Sequence, residues 1–171
     1  MNLLKKLFGI SDKKRNSFDI NLNNLLESQN INKSIVELDN FICKLCDYGG
    51  KMEKLSEPQK VFFYNQTLER EVNNGGFNQY FFNSSGDFSH QTIKSLQTIG
   101  AKITADILQK AINQFPDKKT PENQMERRVI LEQIEQIANV NWEKHEQRFF
   151  EYKDDLNMLN IEFVRQNKEN F

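Results

Sequence analysis

The stretch Glu71–Gly86, EVNNGGFNQYFFNSSG, decides how this chain is read. Paired glycines cost a helix about 1 kcal/mol each relative to alanine. Asn-Gly-Gly-Phe at 74–77 therefore predicts that one helix ends there and that the chain changes direction. Phe77–Phe82 then supplies one or two further helical turns rich in aromatics. Asn83, Ser84, Ser85 and Gly86 make a turn. Carboxamides (Asn73, Asn74, Asn78, Gln79, Asn83) alternate here with Phe77, Tyr80, Phe81 and Phe82. Two readings follow. In one, the amides satisfy free backbone groups at a helix end and the rings fill a core. In the other, the glycines let backbone approach a ligand and the amides line its pocket. The second makes Glu71, Asn74, Gly75, Gly76, Gln79 and Asn83 the candidate ligand-binding set, with Glu71 as an acid or base.

Upstream, Ser56-Glu-Pro-Gln59 has the form of a capping box, with proline in the first turn where its missing N–H costs nothing. Val61, Tyr64, Leu68 and Val72 form the buried stripe of the helix that leads to the glycines, widened by Phe62 and Phe63. Before it, Ile31, Ile35, Leu38, Ile42 and Leu45 predict a helix over 31–48, closed by Gly49-Gly50. Phe18, Ile20 and Leu22 alternate with polar residues before Leu25 and Leu26 turn helical. Downstream, Asp87 or Ser89 is placed to cap a helix with Ile93, Leu96 and Ile99. Gly100 separates it from a helix with Ile103, Ile107, Leu108, Ala111 and Ile112, which Pro116 closes. Thr120-Pro121 reads as the next helix start. Val129–Val140 reads as one helix and the Trp142–Phe150 region as another, and Asp154 reads as the cap of a last one with Leu156, Leu159, Phe163 and Val164. The expectation is an all-α bundle of seven or eight helices with antiparallel neighbours.

The chain of 171 residues, net charge −1, contains only seven Gly and three Pro, too few for a turn-dense β architecture. The charge balance excludes a globally basic nucleic-acid binder, so direct nucleic-acid contact is not expected. Residues 1–16 read as a short amphipathic helix (Leu3, Leu4, Leu7, Phe8) and a polar linker; residues 17–171 read as the helical domain. Lys5 and Lys6 interrupt the apolar start, which matches neither a signal peptide nor a stable membrane anchor. A cytoplasmic location is the expectation.

No catalytic set is evident. Cys43 and Cys46 form a Cys-x-x-Cys, but without a second metal half-site or a strand-then-helix setting, so buried structural thiols are expected. His90 and His145 lack metal-ligand spacing, and His145 reads as part of a solvated face. Glu69 and Glu71 point to different helix faces. Neither metal nor cofactor is implied, and the residues point away from an enzyme.

The same segment carries a resemblance. Asn74-Gly75-Gly76-Phe77, Gln79, Tyr80-Phe81, Asn83-Ser84 and Gly86, then Leu96–Ala101, Phe149/Tyr152, Asp154-Asp155-Leu156 and Phe163, resemble a bacterial family of unknown function named for DNA mimic protein nineteen. The resemblance covers residues 30–171 and implies an all-α fold. The family name implies carboxylates presented in a DNA-like array to a DNA-binding protein. Such mimicry calls for a strongly acidic surface. Only residues 121–171 carry an acidic excess, eleven Asp/Glu against seven Lys/Arg. The function expected is a non-enzymatic protein–protein interaction module whose partner is another protein, a homodimer being one form of this. The alternatives are a small-molecule site at the Asn-Gly-Gly-Phe segment and an acidic DNA mimic.

Overall fold

The computed structural model describes residues 20–171. The expected N-terminal amphipathic helix, its linker and Phe18 lie outside the described residues. Seven α-helices are present, with short 3-10 turns and no strand among the described residues.

The first two are α1, Leu22–Glu27, and α2, Ile31–Leu45. Asparagines open both. Asn21 accepts from the Asn24 N–H, and Asn30 from the Lys33 N–H, each satisfying an orphan first-turn donor. The apolar stripe of α2 is buried at Ile35, Leu38 and Ile42. The helix stops at Leu45, short of the expected Tyr48. Asp47, Tyr48 and Gly49 take positive φ values of 53°, 54° and 99°, which no α-helix accommodates.

Helix α3, Glu57–Phe82, begins at the expected capping box, with Ser56 Oγ accepting from Gln59 N and Gln59 Oε1 from Ser56 N. Two 3-10 turns, 47–49 and 52–54, lead into it. Gly75 and Gly76 break the backbone as expected, with Gly76 at φ 70°, ψ −169°. They interrupt α3 rather than end it, because the helix resumes at once through Phe82.

Helices α4, Ser89–Thr98, and α5, Lys102–Ile112, meet at Gly100, whose φ of +84° makes the expected joint. Neither Asp87 nor Ser89 caps α4; its N-cap is Phe88, without a side-chain cap. Asp87 is held instead by Arg127. Helix α6, Gln124–Phe149, is one continuous element where two were expected, and it is capped by Asn123 rather than started by Thr120-Pro121. Packing explains the continuity. Leu131, Ala138, Trp142 and Phe149 all reach one core, and Trp142 Nε1 donates to the Ala111 carbonyl at 3.0 Å. Helix α7, Leu156–Gln166, is capped by Asp155, not Asp154. Asp154 Oδ2 instead accepts from the backbone N–H and hydroxyl of Thr104, in the first turn of α5.

Two apolar clusters form the interior. The larger gathers Leu68–Phe81 of α3 with α4, α5 and α6; Phe77 stacks on Phe81, which meets Phe115 and Trp142. The smaller gathers Phe62 and Phe63 of α3 with α1, α2 and α7. Helix α3 thus belongs to both. Cys43 and Cys46 are buried in the smaller cluster, as free thiols. No helix among the described residues is long and apolar enough to cross a membrane.

Candidate functional site

Three charged side chains organise the break at Gly75-Gly76 and the end of α3 that follows it. The first is Glu146 of α6. Its Oε1 accepts from the Phe77 N–H at 2.7 Å, at the start of the resumed helical turns. A carboxylate there meets both an orphan donor and the positive end of the helix dipole. The approach is close: a Cβ on Gly76 would lie 2.7 Å from Glu146 Cδ.

Glu71 is the second. Its Oε2 accepts from Gln79 Nε2 and from Asn83 Nδ2, both at 2.9 Å, so two amides from beyond the break reach back across it. Gly75 permits this, since a Cβ there would stand 2.9 Å from Gln79 Cδ. Asn78 turns the other way and donates to Glu135 at 2.9 Å and to Asn139 at 3.3 Å, both on α6.

The third is Arg127, which is fully buried. Its Nε donates to the Phe81 carbonyl at 2.6 Å. Nη1 donates to those of Pro121 and Glu122, and Nη2 to that of Asn83 and to Asp87 Oδ1 at 2.6 Å. A planar fork with five donors suits this set, which a lysine could not satisfy. The cation sits at the negative end of α3 and ties it to the loop entering α6. Gly86 makes room for it, as a Cβ there would come 2.8 Å from Arg127 Cζ. Arg128 and Gln124 add donors to the Phe82 carbonyl, and the Arg128 guanidinium lies 4.0 Å from the Phe82 ring centroid.

Against this frame lies an open groove of about 490 Å³ between α3 and α6, whose lining includes Gly75, Asn78, Gln79, Phe82, Glu132 and Glu135. Of the six residues nominated from sequence, Gly75, Gln79 and Asn83 line this groove. Glu71 and Asn83 line a second cavity. Asn74 is exposed and Gly76 is half-buried beneath Glu146; neither lines either space. The amides are thus partly pocket-lining, and the donors of Gln79 and Asn83 are engaged by Glu71. Arg127 and Glu146 were not nominated. Only their long-range partners distinguish them from other charged residues of α6.

The remaining titratable groups fit structural roles. Burial, then the neighbouring Asp39 carboxylate, pushes the Cys43 thiol up to about 12, and burial raises Cys46 as well. Among the described residues no group of three or more His, Cys, Asp or Glu is placed to hold a metal. His90 Nε2 lies 3.3 Å from Thr120 Oγ1. His145, expected on a solvated face, is half-buried. Burial, helped by Arg148 and Lys110, lowers its pKa.

A family model described as DMP19-like protein matches residues 53–167. No curated protein and no solved structure matches the chain.

Proposed function

The chain belongs to the DMP19-like protein family, and on that premise we propose that it is a non-enzymatic interaction module that binds another protein through the outer face of α6. One observation carries this reading. While one side of α6 packs Leu131, Ala138, Trp142 and Phe149 into the core, the other leaves Met125, Val129, Ile137 and Val140 exposed, Ile137 at 75% and Met125 at 69%. Apolar side chains repeated over four turns of one helix are the surface a partner protein covers. Burying Ile137 alone is worth roughly 1–2 kcal/mol.

A mimic of DNA is the weaker reading. On the surface of α6, Glu126, Glu132, Glu135 and Glu143 share the helix with Arg128, Lys144 and Arg148. An array standing in for phosphates would be of one sign.

The test is affinity capture from native lysate, run beside light scattering of the purified chain, with wild type and Ile137→Glu/Val140→Glu. The reading requires a stoichiometric partner that the double variant loses while its circular dichroism is unchanged. A second copy of the chain as that partner would register as a dimer in scattering. A strictly monomeric chain that captures nothing stoichiometric, or a partner indifferent to the double variant, removes the proposal.

A further inference from the structure

The second cavity, of about 350 Å³, is walled by Tyr48, Phe63, Phe88, Arg70 and Glu71, with Asn83 at its edge. Phe63 and Phe88 meet edge to face, ring centroids 6.2 Å apart, and form its apolar floor. The turn after α2 docks on that floor: a Cβ on Gly49 would stand 3.3 Å from Phe63 Cζ and 3.5 Å from Phe88 Cε2. The docked turn holds two consecutive non-glycine residues, Asp47 and Tyr48, in the left-handed region. For a bulky residue that conformation is unfavourable, and such strain gathers at ligand clamps. Burial of the Tyr48 ring does not compensate it, because Tyr48 is 67% exposed. The strained backbone instead sets an aromatic ring on the rim of the cavity.

The charges around it are not matched alike. Arg70 is matched by the Asp39 carboxylate and the Thr67 hydroxyl. Asp47 is matched by Lys51 at 3.0 Å. Glu71 faces the same space, and its two hydrogen-bond partners, Gln79 and Asn83, are neutral amides. Of the two charged residues that line the cavity, Arg70 is ion-paired with Asp39 outside it, while Glu71 has only amide partners and is fixed in place by two donors. Arg70, next to Glu71 in sequence, is the cation nearest to it along the chain and is already committed to Asp39.

An aromatic floor, an aromatic rim and one oriented carboxylate describe a receptor for a small organic cation. We propose that this cavity binds a small molecule bearing an ammonium group. Its charge lies against Glu71, its carbon skeleton against the half-buried Phe88 ring, and the Tyr48 ring closes over it. The volume is at the small end for ligand sites, which limits the occupant to a short amine. This site is separate from the α6 face, and either assignment stands without the other.

The test is isothermal titration of the full chain with butane-1,4-diamine and with tetramethylammonium, using butyrate as the oppositely charged control. Saturable binding of at least one cation is expected. Glu71→Gln keeps an acceptor for both amides while removing the charge, and binding should drop below detection. Tyr48→Asn tolerates the left-handed backbone and removes the ring, and the affinity should fall roughly threefold to thirtyfold. Glu132→Gln, in the neighbouring groove, should bind as wild type does. Absence of saturable binding by either cation up to roughly 10 mM, binding that survives both Glu71→Gln and Tyr48→Asn, or butyrate binding as tightly as the cations would each overturn the assignment.

Discussion

Replacing Gly76 by alanine tests the central structural argument, because the residue carries two separable demands. The first is conformational. At φ 70°, ψ −169° the backbone lies in a region that only glycine occupies readily, and forcing another residue there costs about 1–3 kcal/mol. The second is steric. The new Cβ would sit 2.7 Å from Glu146 Cδ, so the carboxylate must leave the Phe77 N–H. A charge-assisted hydrogen bond of this kind is worth about 1.5–3 kcal/mol, and the half-buried setting of Glu146 argues for the lower figure. Gly76→Ala should therefore destabilise by about 2.5–4.5 kcal/mol, a melting shift on the order of 10 °C for a chain of this size. Glu146→Ala alone should cost about 1.5 kcal/mol. In the double variant the lost hydrogen bond is counted once, so the double cost should fall short of the sum of the singles by about 1.5 kcal/mol. Urea unfolding at pH 7 of all four proteins measures this. Additivity within about 0.5 kcal/mol would show that Glu146 does not depend on the missing Cβ. A Gly76→Ala cost below about 0.5 kcal/mol would refute the backbone argument itself. Gly75→Ala should cost less than Gly76→Ala, since Gly75 at φ −160° has extended backbone that any residue adopts and only the contact with Gln79 must relax.

Arg127→Met should destabilise by about 3–5 kcal/mol in the same assay, because the buried carbonyls of Phe81, Pro121 and Asn83 lose their donor and Asp87 its cation; Arg127→Lys should recover less than half of that, as an ammonium cannot form the fork. The thiols of Cys43 and Cys46 should resist a disulfide reagent at pH 8 in the native protein and react fully in denaturant, since burial disfavours both thiolates; fast native reaction would show the smaller cluster to be open. His145 has a folded pKa below its unfolded value, so the unfolded chain takes up the proton first and the associated stability, present above about pH 6.5, is lost as pH falls. Unfolding curves between pH 7.5 and 5.5 should accordingly be flatter for His145→Gln than for wild type, and parallel curves would contradict the assignment.

Much of the architecture is legible in the sequence wherever its cause is local. The α2 stripe, the Ser56–Gln59 box, the joint at Gly100 and the break at Gly75-Gly76 each follow from spacing or from one residue's backbone preference. Expectations failed where a distant contact overrides local preference. Pro121 sits in an acceptable helix-start context, yet its carbonyl is held by Arg127 and α6 starts three residues later. Asp154 and Asp155 are equivalent caps on paper, and the choice falls to Asp155 because Thr104 of α5 takes Asp154. The candidate site divides in the same way. The amides were visible as a pattern. Their direction was not, since it depends on Glu71 drawing Gln79 and Asn83 across the break while Glu135 and Asn139 draw Asn78 toward α6.

Helix α3 lends Phe62 and Phe63 to one apolar cluster and Leu68, Val72, Phe77 and Phe81 to the other. No peptide bond can therefore be cut so that each fragment keeps a complete interior. A cut before α3 strands α1 and α2 without the rings they pack on, and a cut after it takes α7 away from Asn65, whose side-chain amide donates to Asn160. Neither fragment of a split chain should for that reason fold alone, and structure should return only when the two associate. Amide exchange in the two clusters should slow to a common rate set by global unfolding.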